Sequence, residues 1–125
     1  MRKIVFRGKE INSKEWVYGF LADIISDRAI IAPEGTALSK AVIPETVGQF
    51  TGLCDVNGTE IYEGDIIRWQ VSDGTSTAET GFQQGAFMAY VIGIEIKPIP
   101  LFLLLENKCD VIGNIHDNPD LLTKK

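Results

Sequence analysis

The chain has 125 residues, 45% hydrophobic and 23% charged, with a formal net charge of −5 at pH 7. That length suits one domain or two very small ones sharing a core, and it buries about two-thirds of the unfolded surface, so folding needs neither metal nor disulfide. The composition excludes a disordered or membrane-embedded chain, and 12 basic against 17 acidic residues disfavour nucleic acid, whose affinity comes from counterions released by Lys and Arg.

The start, Met1-Arg2-Lys3-Ile4-Val5-Phe6-Arg7, reads as a strand and not as a signal peptide, with Ile4 and Phe6 on one face over Lys3–Arg7. Trp16–Leu21 competes between strand and helix through residue 25. Two aromatics, Val17 and a mid-run Gly19 favour the strand, where glycine marks a bulge or a close backbone approach. Arg28–Ala32 is a further strand, followed by the polar linker Thr36–Lys40 and by Val42–Thr46, where Pro44 restricts any strand to an edge. The stretch Val47–Trp69 organises the rest. It holds the Asn57-Gly58 turn, whose residues tolerate positive φ, and the Glu63-Gly64-Asp65 corner feeding Ile66–Val71.

The small, polar segment Ser72–Gly81 predicts a mobile loop. Ala86–Ile96 and Leu101–Leu105 predict two long apolar strands, Val111–Ile115 a last short one, and Asn118-Pro119 a capped one-turn helix. Many short strands at this spacing point to an all-β chain, one small barrel or two packed ones, dividing near residues 44–48.

No catalytic, cofactor or metal site assembles from these residues. Asp55, Asn57 and Glu60 superficially match a calcium loop, but Gly58 falls at the fourth place and Ile66 occupies the twelfth, so a hairpin turn is favoured. Glu63 and Asp65 straddle Gly64 as an acidic pair would, yet Asp65 also suits bonding to nearby backbone N–H groups. His116 beside Asp117 lacks a recognisable nucleophile. Cys54 and Cys109, far apart and without a C-x-x-C, read as buried free thiols of a reducing cytoplasm. Of the aromatics Trp16, Tyr18, Phe20, Trp69, Phe82, Phe87 and Tyr90, most read as core. Trp16, Tyr18 and the Arg68-Trp69 pair are the candidate binding surface, although a stacking platform for single strands would need more cations than Arg68.

Phe6-Arg7-Gly8-Lys9, Trp16-Val17-Tyr18-Gly19, Val47–Leu53, Asp55–Gly58, Ile61–Ile66 and Ile112–Pro119 together resemble the YopX family of phage and prophage proteins, in the family's order over almost the whole chain. The segment Ser72–Gln84 carries no family signal, and Cys54 stands where a polar residue is more usual. The resemblance implies two small β subdomains, residues 1–46 and an SH3-like barrel over 47–125, encoded by phages of Gram-positive bacteria. The family has no established biochemical activity to carry over.

The expectation is therefore a non-enzymatic cytoplasmic module, without cofactor or membrane anchor, that binds a phage or host protein or itself as a homo-oligomer, with exposed strand edges available for pairing. The alternative is an SH3-like module that binds nucleic acid through the basic N-terminal arm.

Overall fold

The computed structural model describes residues 3–35 and 38–122. Arg2 of the basic arm and the linker residues Thr36 and Ala37 lie outside them. The fold is mostly β, with two antiparallel sheets, and the chain divides into two compact units, Met1–Gly52 and Leu53–Lys125.

In the first unit, β1 (Phe6–Lys9), β2 (Trp16–Ile25), β3 (Arg28–Pro33), β4 (Lys40–Val42) and β5 (Gly48–Cys54) follow one another. The sheet order is β4-β3-β2-β1-β5-β6; β5 crosses the division at Gly52 and β6 (Glu60–Tyr62) lies wholly in the second unit. The segment 14–25 is a strand over its last ten residues, not a helix. Gly19 permits it, since a Cβ there would stand 2.2 Å from the Ala32 carbonyl oxygen, and a register shift follows between Leu21 and Asp23. Pro44 opens a 3-10 turn, Pro44–Thr46, directly after β4.

Strand alternation sends Val17 and Leu21 inward with Phe6 and Val47, around the buried Ala29, Ile31 and Val42. The strip then curls back on itself. A bridge joins Glu10 to Val42, the Ile11 N–H donates to the Ala41 carbonyl at 3.0 Å, and the Ile43 N–H donates to the Lys9 carbonyl at 2.9 Å. Buried Thr46 pins this seam, its hydroxyl accepting the Lys9 N–H at 2.9 Å and donating to the Ile43 carbonyl at 2.6 Å.

In the second unit, β7 (Asp65–Val71), β8 (Gly74–Gln83), β9 (Ala86–Val91), β10 (Ile99–Pro100) and β11 (Asp110–Asn114) form a sheet ordered β10-β9-β8-β7-β11. Its order is open, where a closed SH3-like barrel was expected. Two departures from the sequence-based expectations accompany this. Ser72–Gly81 is no loop: β8 takes most of it, in register with β7 on one side and β9 on the other. Its small residues are what a central strand needs where space is short, and Ala78 and Thr80 are almost fully buried.

The second departure is at Leu101–Leu105. Instead of a strand, the helical turn α1 (Leu101–Leu104) follows Pro100 and runs into a 3-10 turn, Leu105–Asn107. Burying Leu101 and Leu104 while exposing Phe102 and Leu103 satisfies a helical period that an apolar run alone does not reveal. β10 is left only two residues long, and β9 stops at Val91 rather than Ile96. The core of this unit gathers Ile61, Ile67, Trp69, Ala78, Ala89, Leu101, Leu104 and Cys109. Cys109 is a buried free thiol; Cys54, expected to be buried as well, is exposed. Among the described residues no helix is long and apolar enough to cross a membrane.

Candidate interaction surface

Trp16 and Tyr18 flank Val17 along β2 and stand on the face opposite the core-facing Val17 and Leu21. The β1–β2 register sets Arg7 across from Tyr18 and Lys9 across from Trp16. The Arg7 guanidinium lies 4.5 Å from the centre of the Trp16 ring and the Lys9 ammonium 5.6 Å, so the indole is held by two cations. Lys3 is set 5.4 Å over the Phe50 ring. Arg7 is buried, which removes it from the charge that an incoming ligand meets. Beyond this stack the strand becomes openly apolar: Tyr18 is 47% exposed, Phe20 61%, Ile24 65% and Ile25 49%. The W-V-Y-G-F-L alternation carries the signal for Phe20, but Ile24 and Ile25 follow the register shift, which strict alternation does not foresee.

Arg68 and Trp69 lie on β7 of the second unit and take opposite faces. Trp69 is a core residue, 8% exposed, and not the surface anchor expected of it, because the alternation of Ile67 and Trp69 drives both into the apolar cluster. Arg68 is half-exposed and paired with Asp110 at 3.0 Å, across the β7–β11 ladder. Around them is a shallow depression of about 300 Å³ lined by Arg68, Trp69, Gln70, Thr75, Lys108 and Asp110.

The side chains that carry the most chemistry are engaged in shaping turns. Asp55 accepts the Asn57 and Thr59 N–H groups on Oδ1, both at 2.8 Å, and the Val111 N–H on Oδ2 at 2.9 Å. Burial pushes its pKa up, but these backbone donors outweigh burial and hold the carboxyl below its ordinary value. Asp65 is buried and its Oδ2 accepts the Tyr62 N–H at 2.8 Å. The Thr80 hydroxyl lies 2.8 Å from the Tyr62 carbonyl and 3.0 Å from that of Asp65, so the Glu63-Gly64-Asp65 corner is a structural joint.

Near the end of the chain the Asn114 side chain accepts the His116 and Asp117 N–H groups at 3.0 and 2.9 Å. Asn118 Oδ1 accepts the Asn114 N–H at 3.1 Å, in space that a Cβ on Gly113 would close. Burial, and then the negative charges of Asp55 and Asp110, push the Cys109 thiol up and away from the reactive thiolate. Among the described residues no three His, Cys, Asp or Glu side chains converge as a metal site.

Sheet edges offer little to a pairing partner. The seam at residues 9–11 occupies β4. The Asp65 carboxylate and the Thr80 hydroxyl occupy Tyr62 of β6. Pro100 blunts β10, and on β11 Asp55 takes the Val111 N–H while the Cys109 carbonyl beside it receives the Val56 N–H at 3.0 Å.

No curated protein matches this sequence. Among solved structures the chain is similar to protein EF1440 from Enterococcus faecalis, at 27% identity and a TM-score of 0.60, covering 98% of this chain and all of that one. The family model described as YopX protein matches residues 5–123, nearly the whole chain, and the chain belongs to the YopX family.

Proposed function

We propose that this chain is a non-enzymatic accessory module, encoded by a phage or prophage and working in the cytoplasm of its bacterial host, that binds protein through the outward face of β2. The observation that carries this reading is the row Tyr18, Phe20 and Ile25, each at least 47% exposed, on the face of β2 that its pairing with β3 turns away from Ala29 and Ile31. Apolar side chains in such a row are what a protein partner covers. Because the edges are occupied, docking proceeds by side-chain packing on this face and not by adding a strand. The partner is a second copy of the chain or a phage or host protein. The open second sheet is, in this reading, a variant of the SH3-like architecture.

Nucleic acid is the weaker alternative. The net charge is −5, Arg7 is buried on Trp16, and Arg68 is paired with Asp110.

The test is affinity capture of the tagged protein from lysogenic host lysate, with and without nuclease, beside a Phe20→Ser/Ile25→Ser double variant matched to wild type by circular dichroism. One protein (this chain included) retained despite nuclease and lost with the variant is the expected outcome. Recovery that vanishes with nuclease overturns the protein-binding reading, and recovery indifferent to the variant overturns the assignment to β2.

A further inference from the structure

We propose that Asn57 is a site of spontaneous deamidation, with water as the co-reactant, and that the turn centred on Asp55 sets its rate. Asn57 is the one asparagine in the chain followed by glycine. A glycine nitrogen, with no side chain beside it, is the least hindered backbone nucleophile. Both residues are exposed, nothing lies within 4 Å of the position a Gly58 Cβ would take, and no hydrogen bond holds the Asn57 carboxamide among the described residues. Asn118 has the opposite arrangement: its carboxamide oxygen is bonded to the Asn114 N–H, and the proline after it has no N–H to lose.

In the reaction the Gly58 amide gives its proton to hydroxide and its nitrogen attacks Asn57 Cγ. The N–Cγ bond forms, the Cγ–Nδ2 bond breaks, and ammonia leaves with a proton from solvent. Water then opens the cyclic imide at either carbonyl, giving aspartate, or isoaspartate in which the main chain runs through the former side chain.

The fold restrains the first step. The nucleophilic nitrogen donates its hydrogen to the Asp55 carbonyl at 3.0 Å, while Asp55 Oδ1 holds the Asn57 and Thr59 N–H groups on either side. The turn must loosen before the nitrogen reaches Cγ. Once isoaspartate forms, the added main-chain methylene spoils the spacing of the donors on Oδ1. The Asp55 tie to Val111 weakens with it, so the second unit loses stability as the protein ages.

The experiment incubates the full-length protein at mildly alkaline pH, native and in guanidinium, and follows isoaspartate by peptide mapping. Isoaspartate formed with loss of ammonia is expected only in the peptide carrying Asn57, about tenfold slower in the native protein, the worth of one or two backbone hydrogen bonds. Asp55→Asn, checked by circular dichroism, is expected to speed the native reaction and leave the denatured rate unchanged. Equal native and denatured wild-type rates overturn the restraint, whether or not that variant folds. Earlier conversion at another asparagine overturns the site, and an unchanged native rate in folded Asp55→Asn overturns the role of Asp55.

Discussion

The two units solve the same problem of a small β core in different ways. The first buries little, Ala29, Ile31 and Val42 with four partly buried neighbours, and secures its sheet by curling β4 back onto the end of β1. The second has a larger apolar cluster and adds buried carboxylates, Asp55 and Asp65, that gather backbone N–H groups at its corners. Where burial is scarce, backbone pairing carries the architecture; where burial is ample, polar joints fix the direction of each turn. The contrast explains why Asp55 and Asp65, which look chemically interesting in the sequence, are engaged in holding turns.

The largest effect that tests this contrast is a cavity in each core. Ile67→Ala is expected to cost about 4 kcal/mol and Ile31→Ala about 3 kcal/mol in guanidinium unfolding, because the smaller cluster closes more readily around a void. Equal or reversed costs would break the comparison.

Next come the joints. Asp55→Asn is expected to cost about 2–3 kcal/mol at neutral pH, since it weakens three bonds to a charged acceptor, whereas Thr46→Val at the first unit's seam costs about 1 kcal/mol. Because the folded-state pKa of Asp55 lies below its unfolded value, its contribution is full above the unfolded pKa of about 3.9 and is lost as pH falls through the folded value. The gap between wild type and Asp55→Asn should therefore narrow with acid, while the Thr46→Val gap stays level over the same range. A gap at Asp55 that is constant with pH would show that its charge is not what holds the corner.

The smallest effect sharpens the picture. Lys108 ends the 3-10 turn after α1 in a left-handed conformation, φ +55°, which glycine adopts without the Cβ penalty. Lys108→Gly is expected to stabilise the protein by about 0.5 kcal/mol, read as a shift in the denaturant midpoint.

Much of this was legible in the sequence. Turn chemistry located Asn57-Gly58 and Glu63-Gly64-Asp65, and the aromatic alternation located β2 and its outward Trp16 and Tyr18. The errors have physical sources. Periodicity registers large apolar residues, so it passes over β8, whose buried positions are Ala78 and Thr80 because a central strand there has little room. A run such as Leu101–Leu105 fits a buried strand and a helical turn equally until packing decides. The β8–β9 connection, Gln84-Gly85, has positive φ at both residues, yet glutamine is not a usual signal for such a turn. Trp69 was misplaced because a charged neighbour, Arg68, says nothing about which face of the strand the ring takes.

The covered edges have a consequence for how this chain behaves when it is crowded. A mostly β protein with unpaired backbone donors is a template for fibrils, in which each new molecule extends the ladder of the last. Among the described residues the seam on β4, the carboxylates at β6 and β11 and the proline on β10 interrupt such a template. Phe20 and Ile25, exposed on β2, are therefore placed to meet other molecules through side-chain packing rather than by lengthening a ladder.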